Sequence, residues 1–207
     1  MSWLVWLDTA SVAVFALTGA LVASRAQLDL VGFAFFACLT AVGGGTIRDV
    51  LLDRNPVFWI GQPAFLGVAC VAALLVFFGA HLVESRYRLL IWLDGVALSV
   101  AVAAGAGVAL SMDASAPVVV VMGMITGCMG GLMRDVVANE VPLVLKAGEL
   151  YVTAAFAGSL AAVGVHWMLP GPLVPLLVCA GVTLALRAGS LGLGWRLPVY
   201  RSRPPRV

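Results

Sequence analysis

The chain has 207 residues, 62% of them hydrophobic and 11% charged, with a formal net charge of +2 and a mean hydropathy of +1.08. An ordinary soluble domain, in which about a quarter of the residues are charged, is excluded. No basic patch interleaved with aromatics points to nucleic acid, and too little polar chain is left over for an extramembrane domain. Function must therefore lie in the membrane part.

Apolar stretches of about 17 to 25 residues cross a bilayer as helices. Seven are read here, at 4–24, 30–52, 63–83, 89–110, 117–138, 149–168 and 173–189. The first opens "MSWLVWLD", with no basic n-region before it and no small-residue cleavage site after it, so it is expected to remain as a transmembrane helix. Ser11 and Thr18 share one face of it. The second ends in "AVGGGTIRDVLL", and the fifth contains "MGGLMRDV". His81 and His166 fall near the ends of the third and sixth spans, on opposite sides of the membrane, so they cannot share a metal, and no metal site is expected. The seventh span has no partner and is expected to pack outside as support. The tail "WRLPVYRSRPPRV" is basic and proline-rich, and it reads as a disordered cytoplasmic end near anionic headgroups.

Cys38, Cys70, Cys128 and Cys179 all lie within spans and act as small apolar residues. The six tryptophans sit near span ends, where an amphipathic ring suits the interface. Positive charge sets orientation: with the C-terminus inside, ten Lys and Arg residues fall on the inner side, and only Arg48 and Arg54 fall outside. The N-terminus is expected outside and the C-terminus in the cytoplasm. No GxSxG, HExxH, CxxC or GxxxxGK[ST] pattern is present, so no catalytic residue, cofactor or enzymatic activity is expected.

"GGGTIRDV" at 43–50 and "MGGLMRDV" at 129–136 are two copies of one pattern, offset by 86 residues (134 minus 48). At the same offset Asp8 meets Asp94, Thr40 meets Thr126, and Pro56 meets Pro142. Each copy holds three spans, an odd number, so the second copy enters the membrane in the opposite sense and the halves form an inverted repeat. The expected organisation is a first three-helix repeat at 1–88, a second at 89–168, a seventh helix at 169–191 and the tail at 192–207.

Thr40, Gly44 and Arg48 recur every four residues and so share a face, as do Thr126, Gly130 and Arg134. The glycines Gly43, Gly44, Gly45, Gly130 and Gly131 have two readings. One is a kink whose freed carbonyls line a cavity and replace part of a cation's hydration shell; the other is close helix packing. Arg48-Asp49 and Arg134-Asp135 mark either a pathway or a structural brace. Since residues i and i+1 point apart on a helix, each Arg is expected to pair with a group other than its adjacent Asp. Asp8 and Asp94 open the first helix of each repeat, with capping favoured over ion binding. Glu140, Lys146 and Glu149 read as solvated loop charges.

"LDTASVAVFALTGALVA", "GGGTIRDVLL" with Pro56 and "FWI" after it, "LDGVALSVAVAAGAGVAL" and "GGLMRDVVANEVPLVLKAGELYVTAAFAGSLAA" resemble the bacterial and archaeal members of the trimeric intracellular cation (TRIC) channel family. The likeness covers about residues 7–165. It implies an all-α integral membrane protein with seven transmembrane helices, six of them in two inverted three-helix repeats. It also implies a homotrimer in the bacterial inner membrane, with membrane lipids as partners and bound lipid as a candidate ligand. Each subunit would hold its own pore for monovalent cations, K+ before Na+, beside the glycine-broken second and fifth helices. On that resemblance Thr40, Arg48, Asp49, Thr126, Arg134 and Asp135 lie at or beside the pore; the Ser11 and Thr18 hydroxyls, whose repeat mates are Ala97 and Ala104, are expected to make its lining unequal between the halves. The Lys-Glu-Val signature of lipid-regulated animal members is absent, so phosphoinositide control is not carried over. The bacterial family also bears the description of a glycine transporter. A carrier that rocks its inverted halves about a central amino-acid site is therefore the alternative.

Overall fold

The computed structural model describes residues 2–82, 86–169 and 171–200, and its regular elements there are helices apart from one isolated bridge. They are α1 (Ser2–Arg25), α2 (Leu30–Leu51), the single turn α3 (Phe58–Gly61), α4 (Ala64–Gly79), α5 (Arg86–Ser111), α6 (Ala116–Val137), α7 (Val152–Met168) and α8 (Val174–Gly192). Six are long and apolar enough to cross a membrane, α4 by virtue of the 3-10 turn at Ala80–Leu82 that extends it to 19 residues, while α7 has only 17 residues. At 1.5 Å per residue α7 spans about 26 Å, just under a hydrocarbon core of about 30 Å. The seven apolar stretches thus become α1, α2, α4, α5, α6, α7 and α8, an all-α multi-pass architecture.

The 86-residue repeat extends to the turns. α2 and α6 begin and end at equivalent positions. Among the described residues four non-glycines have positive φ, and they form two repeat pairs: Gln27 (55°) with Asp113 (54°), and Asp53 (52°) with Asn139 (56°). After α2, the Arg54 N–H donates to the Asp49 carbonyl and the Asp53 N–H to the Val50 carbonyl; after α6, Glu140 and Asn139 donate to Asp135 and Val136 in the same way. This double pairing is the Schellman cap, which needs one left-handed residue, and short Asp or Asn side chains tolerate that conformation.

Repeat-equivalent helices run antiparallel. Arg86, the first residue of α5, donates from Nη1 to the carbonyl (3.3 Å) and Oγ (3.1 Å) of Ser24, next to the last residue of α1. The Arg25 guanidinium lies 5.0 Å from the centroid of the Tyr87 ring at the same end. α2 and α6 cross at mid-length: a Cβ on Gly44 would strike the Thr126 carbonyl, and one on Gly130 would strike the Thr40 carbonyl. The reciprocity makes this crossing the pseudo-two-fold centre of the molecule. Gly19 meets Phe36 and Thr40, and Gly105 meets Met122 and Thr126, in the same matched way. In lipid no hydrophobic force separates helices from solvent, so association relies on close backbone approach, which an Ala- and Gly-rich core permits.

Three expectations change here. α2 and α6 remain helical through 43–45 and 130–131, so the glycines are a packing surface and not a break in this structure. The Thr40 and Thr126 hydroxyls donate to the carbonyls of Phe36 and Met122 one turn back, both at 2.7 Å. Asp8 and Asp94 cannot cap their helices, because α1 starts at Ser2 and α5 at Arg86, which puts both carboxylates in the helix interior. Finally, the start of the tail is ordered: the Leu197 N–H donates to the Gly148 carbonyl at 3.0 Å, and Arg196 pairs with Glu149 in an antiparallel bridge. The rest of the tail, 201–207, lies outside the described residues.

Replacing Gly44 by Val should force the central crossing apart and lower stability by about 1–3 kcal/mol, the ordinary cost of overpacking. Gly67→Ala, where nothing lies within 4 Å of the added carbon, should be neutral or mildly stabilising. Thermal unfolding of the two variants in detergent checks the contrast.

Candidate functional site

A charged side chain within a bilayer-spanning helix is stable only when it is neutralised and hydrogen-bonded. Arg48 lies six residues past the middle of the α2–α6 crossing, about 9 Å along its helix. Its guanidinium has no exposed surface. Nη1 donates to Asp8 Oδ1 on α1 at 2.9 Å, and Nε donates to Asp49 Oδ1 at 2.8 Å. Asp49, equally buried, also accepts from Arg54 Nη1 at 2.8 Å and from the Phe58 backbone N–H at 2.9 Å.

The second site repeats the first at the other end of the crossing. Arg134, again fully buried, donates from Nη1 to Asp94 Oδ1 on α5 at 2.8 Å and from Nε to Asp135 Oδ1 at 2.7 Å. Asp135 Oδ2 accepts from the Leu143 N–H at 2.8 Å. Leu143 is one residue short of the position equivalent to Phe58, because a 3-10 turn over Leu143–Leu145 stands where the first repeat has α3. Thr18 adds a link between repeats: its hydroxyl donates to the Phe15 carbonyl and accepts from Arg134 Nη1 at 2.9 Å.

Each Arg thus has the expected partner from another helix, Asp8 or Asp94, and pairs with its neighbouring Asp as well, contrary to expectation. The Arg side chain is long enough for its Nε to turn back to a carboxylate one residue on, and burial leaves it no solvent to choose instead. A glycine vacancy filled by an aromatic ring completes each site. The space of Gly45 is taken by Phe58, whose ring centroid lies 5.4 Å from Arg48 Cζ. A Cβ on Gly131 would lie 3.3 Å from the Tyr151 hydroxyl, 3.4 Å from Asp94 Oδ1 and 3.6 Å from Arg134 Nη2. Arg48 Nη2, Arg134 Nη2, Asp94 Oδ2 and the Tyr151 hydroxyl are buried without a hydrogen-bond partner among the described residues.

The structure therefore brings together Asp8, Arg48 and Asp49 at one site and Thr18, Asp94, Arg134, Asp135 and Gly131 at the other. Thr40, Thr126, Gly44 and Gly130 lie between them at the crossing, and Ser11 is buried on α1 one turn from Asp8. Glu149 and Glu140 are not free loop charges: Glu149 accepts from Arg187 Nη1 at 2.8 Å and Glu140 from Arg25 Nη1 at 3.1 Å. The Lys146 amine meets the Tyr87 hydroxyl. Sequence reasoning missed Phe58, Tyr151 and Arg187 as parts of the sites. For Arg187 a signal existed, a charge inside an apolar span; for the two rings none did.

Two antiparallel halves in one chain, joined at the glycine crossing and each holding its own buried Arg–Asp cluster, define the class: an internal-repeat multi-pass membrane protein. A family model described as "Glycine transporter" matches it twice, over residues 5–81 and 91–167, which are the two halves. The chain belongs to that family, whose members include the prokaryotic TRIC orthologues, and these are not enzymes. It is similar to the TRIC trimeric intracellular cation channel orthologue from Rhodobacter sphaeroides, with a TM-score of 0.90 and 39% identity, covering 94% of this chain and all (100%) of that one. It is 38% identical to the inner membrane protein YadS of Escherichia coli over 94% of this chain and 95% of that protein. A Vibrio cholerae membrane protein is 37% identical over 96% of this chain and 83% of its own length. The chain has the TRIC cation channel fold and is a multi-pass inner membrane protein.

Asp94→Asn should cost about 3–5 kcal/mol of stability, because it leaves the buried Arg134 charge without its interhelical counter-ion. Glu140→Gln, which breaks only a part-exposed pair, should cost at most about 1 kcal/mol. Unfolding midpoints measured side by side in the same detergent distinguish the two.

Proposed function

We propose that the chain is a channel for monovalent cations, potassium before sodium, that assembles as a homotrimer with one conduction path in each subunit. The path follows α1, α2, α5 and α6, and the N-terminus lies outside with the C-terminus in the cytoplasm. The observation that carries this reading is the pair of neutralised, buried Arg sites at the two ends of a crossing made of glycine and hydroxyl residues. Of the solved relatives described as cation channels, two are at least 30% identical to this chain.

A bare guanidinium in the path would repel a cation by several kcal/mol at low dielectric. With two carboxylates each, Arg48 and Arg134 act instead as hydrogen-bonded plugs. In the closed state they hold α1 to α2 and α5 to α6; opening requires those bonds to be exchanged for water. Gly43, Gly44, Gly45, Gly130 and Gly131 let the helices slide or bend at the crossing without side-chain clashes. Thr40, Thr126 and nearby carbonyls then offer oxygen to an ion that has shed part of its hydration. Bound lipid would act from outside this path. The rival reading, a carrier for glycine or another small amino acid, takes its support from the description of the matching family.

Purified protein in planar bilayers under a tenfold potassium chloride gradient should give discrete openings that reverse near the potassium equilibrium potential. Arg134→Ala should raise open probability while leaving unitary conductance nearly unchanged. No current, together with saturable glycine uptake by the same proteoliposomes, overturns the channel in favour of the carrier.

A further inference from the structure

The two Arg sites are near copies, yet what stands behind them differs. Behind Phe58 is another ring, Phe65, at 5.0 Å between centroids and within the same repeat. Behind Tyr151 is Arg187, from α8, the helix outside both repeats. Arg187 has no exposed surface, its Cζ lies 4.9 Å from the Tyr151 ring centroid, and its Nη1 is held by Glu149. Its stem crosses α5 at Gly95, beside Asp94: a Cβ there would lie 3.1 Å from Arg187 Cγ. The equivalent position in the first repeat is Thr9, whose hydroxyl turns back to the Val5 carbonyl of its own helix at 2.7 Å.

We propose that Arg187 is a positioning residue for Tyr151, so that the seventh helix holds the Arg134 end of the path and leaves the Arg48 end alone. This rests on the reading of the Arg134 site as one end of that path. The cation fixes the ring over it, as cation–π contacts in desolvated places do. The fixed ring in turn keeps the Tyr151 hydroxyl in the Gly131 vacancy, against Asp94 and Arg134. Residues 148–150, which lead into Tyr151, are themselves clamped. The Leu150 N–H donates to Ser190 Oγ at 3.1 Å, the Gly148 carbonyl accepts from Leu197, and Trp195 covers Gly189. Movement of α8 or of the chain after it therefore reaches Tyr151 first, and Arg134 through it. The Nε and Nη2 groups of Arg187 have no partner among the described residues, so its hold is directional, resting on one carboxylate and one ring.

The test uses full-length protein with Cys38, Cys70, Cys128 and Cys179 replaced by alanine and Thr18→Cys as a reporter beside Arg134. The reaction rate of that thiol with a cationic methanethiosulfonate reagent in liposomes reads exposure of the site, and open probability in bilayers is recorded in parallel. Arg187→Met should accelerate labelling and raise open probability by about fivefold or more, the lower range of ordinary coupling energies. Arg187→Lys should restore most of the wild-type rate. Arg187→Met combined with Tyr151→Phe should match Tyr151→Phe alone, because the first acts through the second.

Unchanged labelling in a folded Arg187→Met protein, a lysine variant that behaves like methionine, or additive effects in the double variant would each overturn the proposal. Should Arg187→Met not fold, Glu149→Gln, which frees Arg187 without removing it, must show the same acceleration, and its absence is equally fatal. Absence of current in the wild type with labelling still governed by Arg187 counts against conduction alone. Current with labelling indifferent to Arg187 counts against its positioning role alone.

Discussion

Two helices can cross backbone to backbone only where neither carries a side chain, and the rest of this molecule is arranged around one such crossing. Gly44 rests on the carbonyl of Thr126, and Gly130 rests on that of Thr40. Because the contact is reciprocal, it fixes α2 and α6 antiparallel and in register, and it fixes their partners α1 and α5 through the matching contacts of Gly19 and Gly105. Within a bilayer this closeness is what dispersion and packing can offer in place of hydrophobic burial. It also limits the crossing to small or hydroxyl side chains.

The crossing determines where charge can be buried. Arg48 and Arg134 sit on the same faces as Gly44 and Gly130, one turn further along, and so point into the bundle and away from lipid. A guanidinium there needs its counter-ions within the protein. The carboxylates come from the helix in front, Asp8 or Asp94, and from the next residue, Asp49 or Asp135. Each of these last two carboxylates also caps the chain after its helix by accepting a backbone N–H, from Phe58 or Leu143. One ion cluster therefore joins two helices and a turn. Breaking its bonds would release all three together.

Symmetry ends at the aromatic neighbour. Phe58 is apolar and braced within its own repeat, whereas Tyr151 carries a hydroxyl and is braced by a cation from α8. The seventh helix is thus part of the second site and more than support. Thr18 adds to the imbalance: it reaches Arg134 from the first repeat, and its own equivalent, Ala104, has no hydroxyl to reach Arg48. The two Arg clusters, built from the same pattern, are thus held by different elements.

The sequence by itself determined the membrane class, the number of apolar stretches, the 86-residue repeat and the residues of greatest cost, because hydropathy, length and exact spacing are local properties written along the chain. It also located the Gly-Arg-Asp patterns that the sites are built on. Tertiary structure alone decided what those residues do. Whether a run of glycines bends a helix or lets another approach depends on what lies opposite, and here Thr126 and Thr40 lie opposite. Whether Asp8 and Asp94 cap or pair depends on where α1 and α5 start, which apolar length does not fix. That Arg48 turns back to Asp49, and that Arg187 and Tyr151 belong to the Arg134 site, follows from burial: without water, each charge takes whatever partner the packing brings within reach, and sequence separation carries no record of that reach.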